Sequence, residues 1–335
     1  MTVTSREIHL ASRPVGVPTR ENFTIATVDI ADPGPGQLLV KNIYMSVDPY
    51  MRGRMIDRKS YTPPFGIGEP LTGGCVGEVV ASQNADFAVG DHVLGFDSWR
   101  EYYLSSGAGL NKVDGNMLPL STYLGVAGMP GMTAYWGLLD IGQPQEGETV
   151  FVSAAAGAVG SVVCQIAKLK GCVVVGSAGS AEKISWLKDE IGVDHAFNYK
   201  EVDSVGTALR QAAPKGIDIY FENVGGDHLE GALANMRMNG RIPVCGMISQ
   251  YNATEAVPGP SNLANIIGNR LLLKGFIVSD YMQRSTEFYA DMAGWLSSGQ
   301  IKYEETVHEG IESAADAFIG LFSGSNMGKM LVKLS

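Results

Sequence analysis

Glycines that follow an apolar segment near the middle of the chain have the spacing of a nucleotide-binding turn. Residues 149–153 form an apolar strand pattern, and residues 154–160 follow with the sequence A-x-x-G-x-x-G. A glycine at 157 would let the backbone approach a pyrophosphate, a glycine at 160 would allow close helix–strand packing, and the next helix would offer free N–H groups. This order of strand, turn and helix predicts a dinucleotide site, with a glycine-rich packing turn as the alternative. The residues of the predicted site are Gly157, Ala158, Val159 and Gly160.

The end of the second predicted strand indicates which nicotinamide cofactor would bind. NAD enzymes usually place Asp or Glu at this tip, where the carboxylate binds the ribose 2′-hydroxyl. Here Ser177 stands at the tip, followed by small residues and then Lys183. This pattern favours NADP(H), because no carboxylate at the tip repels a 2′-phosphate, and the hydroxyl of Ser177 and the ammonium of Lys183 are present to bind one. Tyr199, at the end of the third strand, is placed to flank the adenosine. The alternative for Lys183 is a solvated position on the next helix.

Alternating strands and helices must hold these residues in place. Helical periodicity covers residues 158–169, and predicted strands cover residues 149–153, 172–177, 195–199, 217–221, 240–245 and 271–278. The continuous apolar run at residues 172–177 is typical of a strand inside a parallel sheet that is covered on both faces. The pattern predicts an α/β domain with a doubly wound sheet of about six strands.

The first third of the chain is β-rich instead. Its predicted strands are short, are separated by Gly and Pro, and span residues 36–44, 75–80, 91–96 and 102–104. They suggest a small barrel or a partly open sheet. A helix over 311–322 and a strand over 329–334 end the chain, and we expect them to return to this domain. We therefore assign residues 1–122 and 300–335 to a catalytic or substrate domain, and residues 123–299 to a dinucleotide-binding domain.

The composition excludes several classes of protein. The chain has 335 residues, 45% hydrophobic and 18% charged, with a net charge of −10. That charge argues against nucleic-acid binding, which needs clustered Lys and Arg. No run of about 18 apolar residues and no apolar signal core is present, so we expect a cytoplasmic protein with no membrane partner. The four cysteines form no C-x-x-C pair and are expected to be buried thiols.

Six segments together resemble one family of reductases. They are SVDPYMR at 46–52, GMPGMTAY at 128–135, the turn at 154–160, NYK at 198–200, FENVGG at 221–226 and CGMISQYN at 245–252. These segments look like those of the zinc-free medium-chain dehydrogenases/reductases that reduce carbon–carbon double bonds with NADPH. That family includes prostaglandin reductases, plant alkenal reductases and bacterial curcumin reductases. The resemblance spans essentially the whole chain.

The resemblance implies a quinone-reductase-like β-rich domain, a Rossmann domain, NADPH, and an active site in the cleft between the domains. It also implies the residues that contact the cofactor, from the adenosine phosphates to the nicotinamide: Gly157, Lys183 and Tyr199, then Met132 and Thr133, then Asn223, Cys245 and Tyr251, and finally Phe276, Ile277, Val278 and Asn326. Dimers are common in the family. The substrate-pocket lining matches less well, so the natural substrate does not transfer.

The implied reaction is a conjugate reduction without a metal. In zinc enzymes of the wider superfamily a His-Glu pair lies in a glycine-rich run that corresponds here to residues 72–78, which contain no histidine. We therefore expect no metal site. Hydride would reach the β-carbon of an α,β-unsaturated ketone or aldehyde, and the charge developing on the carbonyl oxygen would need a hydroxyl donor. Tyr251 is the first candidate donor and Tyr50 the second, although either could form only a wall of the pocket.

Two other functions are compatible with the same residues. An NADPH:quinone oxidoreductase would share the fold and the cofactor, and an NADPH-binding protein without turnover would share the site alone. For the leading interpretation the expected partner is a small unsaturated carbonyl compound, and a homodimer is a further expectation.

Overall fold

The computed structural model describes residues 2–335. Its strands are β1 (Thr2–Leu10), β2 (Phe23–Ala31), β3 (Leu38–Ser46), β4 (Cys75–Ser82), β5 (His92–Gly95), β6 (Tyr102–Ser105), β7 (Asn111–Val113), β8 (Thr149–Val152), β9 (Val173–Ala178), β10 (His195–Asn198), β11 (Ile217–Phe221), β12 (Met236–Val244), β13 (Leu272–Gly275), β14 (Glu305–Glu309) and β15 (Lys329–Lys333). Its α-helices are α1 (Met51–Arg54), α2 (Met129–Trp136), α3 (Gly160–Leu169), α4 (Ala181–Asp189), α5 (Val205–Ala212), α6 (Gly226–Leu233), α7 (Asn265–Asn269), α8 (Ser285–Ser297) and α9 (Ala314–Ser323).

Backbone contacts divide this chain into two compact units. The first runs to Gly125 and resumes as Glu305–Ser335, and the second is Val126–Glu304. Across residues 2–335, no helix has both the length and the apolar character that crossing a bilayer requires.

The first unit is built on a β-sheet with the strand order β14-β15-β3-β4-β5-β7, and β6 also pairs with β3. The strands β1 and β2 form a separate antiparallel hairpin. The C-terminal strand β15 lies antiparallel to β3, with Leu331 opposite Ser46, so the end of the chain belongs to this sheet. Trp99 and Phe318 pack edge to face in its core, with ring centroids 6.0 Å apart.

The second unit holds a six-stranded parallel sheet in the order β10-β9-β8-β11-β12-β13. Its central strand β11 is buried along its whole length, which explains why four of its five residues are apolar. The exception, Asp218, forms an ion pair with Arg237 at 3.0 Å. After β8, the strands β9 and β10 add to one side of β8 in the sheet. The next strand, β11, pairs with β8 on its other side, and β12 and β13 follow there. The strand order therefore reverses between β8 and β11, and ligands of such sheets bind at the carboxyl ends of the strands beside that point.

Several element bounds differ from the predicted ones. The strand predicted over 271–278 ends at Gly275, and Val278–Arg284 forms a 3-10 turn. Strand β12 begins earlier than predicted, at Met236, and helix α3 begins at Gly160. Residues 276–278 are apolar because Phe276 and Val278 pack against the core of this unit. Hydrophobic periodicity alone cannot distinguish such a packed loop from a strand. The strands β1, β2, β7 and β14 were not predicted. No residue of β2, β7 or β14 is buried, and the buried residues of β1 are interrupted by partly exposed ones, so none of the four has a continuous apolar run.

Candidate cofactor and active site

The turn after β8 is shaped by two close backbone approaches. Ala154 adopts a left-handed conformation with φ of 49°, and its carbonyl accepts a hydrogen bond from the N–H of Gly157 at 3.0 Å. A Cβ on Gly160 would lie 2.3 Å from the Ala154 carbonyl oxygen and 2.9 Å from Ala155 Cα. Glycine at 160 is therefore required for the helix to start against the turn. Gly157, Ala158 and Val159 are half-buried ahead of α3.

The tip of β9 corrects the expectation for Ser177. Its side chain is fully buried, at 0% exposure, and its Oγ lies 3.1 Å from Nε2 of His228. Burial lowers the pKa of His228 to about 4, so this imidazole is neutral near pH 7. The His228 ring in turn packs edge to face with Tyr199, with centroids 5.1 Å apart. The Ser177 hydroxyl therefore contacts the buried imidazole that packs against Tyr199, and it is not accessible to a phosphate.

Two lysines and a tyrosine lie around the next residues of that tip. A Cβ on Gly179 would lie 3.0 Å from the Tyr199 hydroxyl and 3.2 Å from Cε of Lys200. Ser180 caps α4 by accepting a hydrogen bond from the N–H of Lys183 at 3.3 Å. The pKa of Lys183 is lowered, first by burial and then by the positive charge of Lys200. This Lys183–Lys200 pair forms a positively charged corner at the strand tip.

Lys200 also lies at this strand tip, and it is not among the site residues predicted from the sequence. It belongs to the Asn198-Tyr199-Lys200 segment that carries the family resemblance, in which only Tyr199 is predicted to contact the cofactor. Its ammonium lies 5.9 Å from the centre of the Tyr199 ring. A lysine that directly follows the third strand was the available signal.

The turn after β11 is held by a buried carboxyl group. Oε1 of Glu222 accepts hydrogen bonds from the Tyr220 hydroxyl at 2.7 Å and from the N–H groups of Val224 and Gly225 at 2.6 and 2.8 Å. Burial nevertheless raises the pKa of Glu222. The sequence interpretation did not identify this role of Glu222.

Asn223 is fixed directly to the neighbouring strand end. Its backbone N–H donates to Oγ of Ser153 at 3.0 Å, and its Nδ2 donates to the Ser153 carbonyl oxygen at 2.8 Å. Ser153 follows β8 and Asn223 follows β11, so these bonds join the two strand ends at which the sheet order reverses. Asn223 therefore lies where the fold would place a residue that lines a cofactor.

Cys245 and Tyr251 follow the end of β12. The N–H of Cys245 donates to the Glu222 carbonyl oxygen at 2.9 Å, and burial raises the pKa of its thiol to about 12. The Tyr251 hydroxyl accepts a hydrogen bond from the N–H of Met247 at 3.4 Å. A Cβ on Gly246 would lie 2.8 Å from that hydroxyl oxygen, so the phenol rests against the backbone of its own turn.

Several residues predicted around the nicotinamide share one core cluster. Met132 is buried within it on α2, and Cys245, Phe276 and Val278 pack against it. Thr133 is also buried, and its hydroxyl donates to the Met129 carbonyl oxygen at 2.7 Å. Ile277 is half-buried between its two neighbours.

Tyr50 and Asn326 are the predicted residues that belong to the first unit. Tyr50 precedes α1 and is half-buried; burial and, next, the charge of Asp48 raise its pKa, against the effect of Arg54. The side-chain Nδ2 of Asn326 donates to the Gly328 carbonyl oxygen at 2.8 Å, just before β15. The pairing of β15 with β3 makes the strands that carry these two turns neighbours.

The described residues bring no metal-ligand set together. Between residues 2 and 335, no group of three or more His, Cys, Asp and Glu side chains is placed to hold a metal ion. All four cysteines are unpaired: Cys75, Cys164 and Cys172 are buried, and Cys245 is half-buried.

Comparison with known proteins gives the family. Residues 6–113 match a family model described as the N-terminal domain of oxidoreductase, and residues 158–298 match one described as zinc-binding dehydrogenase. The NADPH-dependent curcumin reductase of Escherichia coli is 48% identical over 97% of this chain and 96% of its own length. The NADP(+)-dependent 2-alkenal reductase of Nicotiana tabacum is 46% identical over 99% and 98%.

A solved structure agrees over the whole length. The CurA structure from Vibrio vulnificus in complex with NADPH superposes with a TM-score of 0.94 at 48% identity, covering 98% of this chain and 99% of that one. Matches of this extent and identity confirm the quinone-oxidoreductase-like fold with its Rossmann sheet. The chain belongs to the medium-chain dehydrogenases/reductases, within the family of NADPH-dependent alkenal and enone double-bond reductases.

Proposed function

We propose that this protein reduces the carbon–carbon double bond of α,β-unsaturated ketones and aldehydes with NADPH. The observation that carries the cofactor choice is the Lys183–Lys200 pair: Lys200 approaches Gly179 at the tip of β9, and Lys183 lies in the first turn of α4, which Ser180 caps. Two lysines there suit a 2′-phosphate. The carboxylate nearest in sequence to Lys183 is that of Glu182, which lies on α4 and is exposed to solvent. Relatives named as curcumin, 2-alkenal and pulegone reductases support the class of substrate.

The residues of the second unit fit a dinucleotide. Glycine at 157 leaves the turn without a side chain, and a Cβ there would meet only the Ala154 carbonyl oxygen, at 3.2 Å. The exposed ring of Tyr199 offers a flat apolar face beside the two lysines. Helix α3 begins at this turn, so its N-terminus would favour the pyrophosphate. When bound, NADPH would supply the hydride that reaches the β-carbon of the substrate.

The chain's own part in the reaction is to stabilise the negative charge on the substrate oxygen and to provide a proton. Tyr251 is proposed as the main hydroxyl donor. Its oxygen accepts the Met247 N–H, and a hydroxyl that accepts a hydrogen bond becomes a better donor. A preorganised donor of this kind stabilises the enolate that forms as hydride is added.

Tyr50 is proposed as the second donor. A phenol is protonated at neutral pH and so can donate a hydrogen bond, and the raised pKa of Tyr50 extends this protonated state to higher pH. Tyrosine or water would then supply the proton to the α-carbon.

The test is NADPH consumption with a small enone and, separately, with a quinone. The proposal expects fast consumption with the enone, and mass spectrometry of the product should show a saturated ketone with its carbonyl intact. Faster turnover of the quinone would favour the NADPH:quinone oxidoreductase. NADPH binding without consumption of any acceptor would favour the non-catalytic binding protein.

We also propose that the reaction needs no zinc. One matching family model is described as zinc-binding, but residues 72–78 contain no histidine and no ligand group is assembled between residues 2 and 335. A hydroxyl donor such as Tyr251 would then take the place of the Lewis acid that zinc enzymes use.

A homodimer in the cytoplasm completes the proposal. The strand β13 ends the six-stranded sheet, and Leu272 on it is 51% exposed, so a second copy could pair there. Sedimentation equilibrium would measure the mass in solution, and a monomer would contradict the dimer. Four unpaired cysteines suit a reducing compartment. Cell fractionation would test the location.

A further inference from the structure

A buried lysine lies at the start of the last strand, outside the residues considered so far. Lys329 is 4% exposed and opens β15. Its ammonium donates to the carbonyl oxygens of Val47 at 2.9 Å and Met330 at 2.7 Å. It also lies 3.2 Å from Oδ1 of Asp48, with which it forms an ion pair. An ammonium has three N–H groups, and these three partners account for them.

Both members of this ion pair are shielded from water. Asp48 is also buried, and its Oδ2 accepts a hydrogen bond from the Ser46 hydroxyl. Burial lowers the pKa of Lys329, whereas Asp48 and then Glu305, which lies opposite it in the β14–β15 register, favour the charged form. Removing two charges from water is costly, and apolar side chains often pack as stably in their place. Stability alone therefore does not account for the pair.

The geometry of the pair provides another reason. Asp48 comes two residues before Tyr50, and its carbonyl oxygen accepts the Met51 N–H at 3.1 Å, so it anchors the turn that presents the phenol. Lys329 comes three residues after Asn326, whose side chain is bonded to Gly328 between them. The bond from Lys329 to Val47 spans 282 positions of sequence. One lysine thus ties together the turn of Tyr50 and the turn of Asn326.

We propose that the Lys329–Asp48 pair is a positioning element, which holds Tyr50 and Asn326 in the arrangement that the reaction requires. This inference rests on the proposed function, in which Tyr50 donates to the substrate oxygen and Asn326 contacts the cofactor. Neither Lys329 nor Asp48 touches the reacting atoms. Misplacing a donor by about 1 Å can cost on the order of a hundredfold in rate, so a rigid support matters even at a distance.

The experiment separates positioning from stability with a double variant. Lys329→Met alone leaves the Asp48 carboxylate buried and unpaired, and its melting temperature should fall steeply. In Lys329→Met/Asp48→Asn both charges are gone, so the melting temperature should recover most of that loss. The kcat for a small enone should stay at least about tenfold below wild type, because apolar and amide side chains do not fix the two turns. Lys333→Met, the same substitution on a half-buried residue of β15, is the matched control and should retain wild-type kcat.

The outcomes are distinct. A double variant with both the melting temperature and the kcat of wild type would overturn the positioning role. Wild-type protein that turns over quinones but not enones would refute the proposed substrate only. The kcat of wild type, of the double variant and of the Lys333→Met control would then be compared with a quinone as substrate. If wild type turns over neither, a crystal structure of the double variant decides: displaced turns at Tyr50 and Asn326 support the role, and unchanged turns refute it.

Discussion

Lys200 approaches Gly179 at the tip of β9, and Lys183 lies in the first turn of the helix that follows, where burial and then the charge of Lys200 lower its pKa. Two neighbouring ammonium groups repel each other, and an anion bound near both reduces that repulsion. A 2′-phosphate on the adenosine ribose would neutralise both, and the next two predictions follow from this.

Replacing Lys183 with alanine should weaken NADPH binding much more than NADH binding. A charge-assisted contact to the phosphate contributes about 1–3 kcal/mol, and NADH has no phosphate to lose. Fluorescence titration of both cofactors measures the difference. Equal losses for the two would show that Lys183 does not contact the 2′-phosphate.

Lys200→Ala should have the same selectivity, with a smaller effect because Lys200 is exposed and its charge is better screened. The effect should shrink further at high salt. Lys188→Ala removes an exposed lysine from the last turn of α4 and serves as the control, with unchanged affinity for both cofactors. If the ratio of NADPH affinity to NADH affinity is the same in Lys200→Ala as in the control, Lys200 does not contact the 2′-phosphate.

Dialysis against a strong chelator should leave the rate and the melting temperature unchanged. The reason is that residues 72–78 lack the histidine that zinc-dependent relatives use, and other donors would be needed. Elemental analysis provides the check. Stoichiometric zinc that is lost together with activity would contradict this prediction.

Tyr251→Phe should lower kcat and kcat/KM together, by about 10–100-fold. Removing one donor to an oxyanion costs on the order of 10²–10³ in kcat, and a ribose hydroxyl that also donates would reduce the loss. Affinity for NADPH should stay near wild type, because the interaction strengthens only as charge develops.

The comparison for Tyr251 is Tyr50→Phe, measured with the same small enone and the same NADPH titration. An unchanged kcat in Tyr251→Phe, with a loss in Tyr50→Phe, would move the donor role to Tyr50. A higher KM alone would show that Tyr251 is only a wall of the pocket.

Glu222→Gln should change how stability depends on pH. The folded state raises the pKa of Glu222, so the folded protein binds this proton more tightly than the unfolded chain does. Wild-type stability from this group is therefore complete below the unfolded pKa and is lost as pH rises through the folded pKa. Glutamine keeps the acceptor for Tyr220 and for the turn but cannot ionise.

The measurement is the difference in melting temperature between wild type and Glu222→Gln across mildly acidic to neutral pH. As pH rises, the melting temperature of Glu222→Gln should increase relative to that of wild type. A constant difference would mean that Glu222 titrates alike in the folded and unfolded chain.

Local patterns in the sequence were sufficient for the framework of the second unit. An apolar strand, a glycine-spaced turn and a helix with apolar periodicity follow one another within a short stretch, and β11 covers the same residues, 217–221, as the predicted strand. The close approach of Gly160 to Ala154 is also a local property, because both residues belong to one turn. Such features depend on backbone geometry and hydrophobic periodicity, which neighbouring residues largely determine.

Contacts between distant residues were decided only by the tertiary structure. Ser177 looked like an open hydroxyl at a strand tip, but packing of α6 buries it against His228. Lys200 joins Lys183 only because β10 lies beside β9, and Lys329 reaches Asp48 only because β15 pairs with β3. Residues 276–278 do not continue strand β13, and Phe276 and Val278 instead pack against the core of the second unit. Side-chain type alone cannot decide these outcomes, since burial and charge pairing depend on which elements pack together.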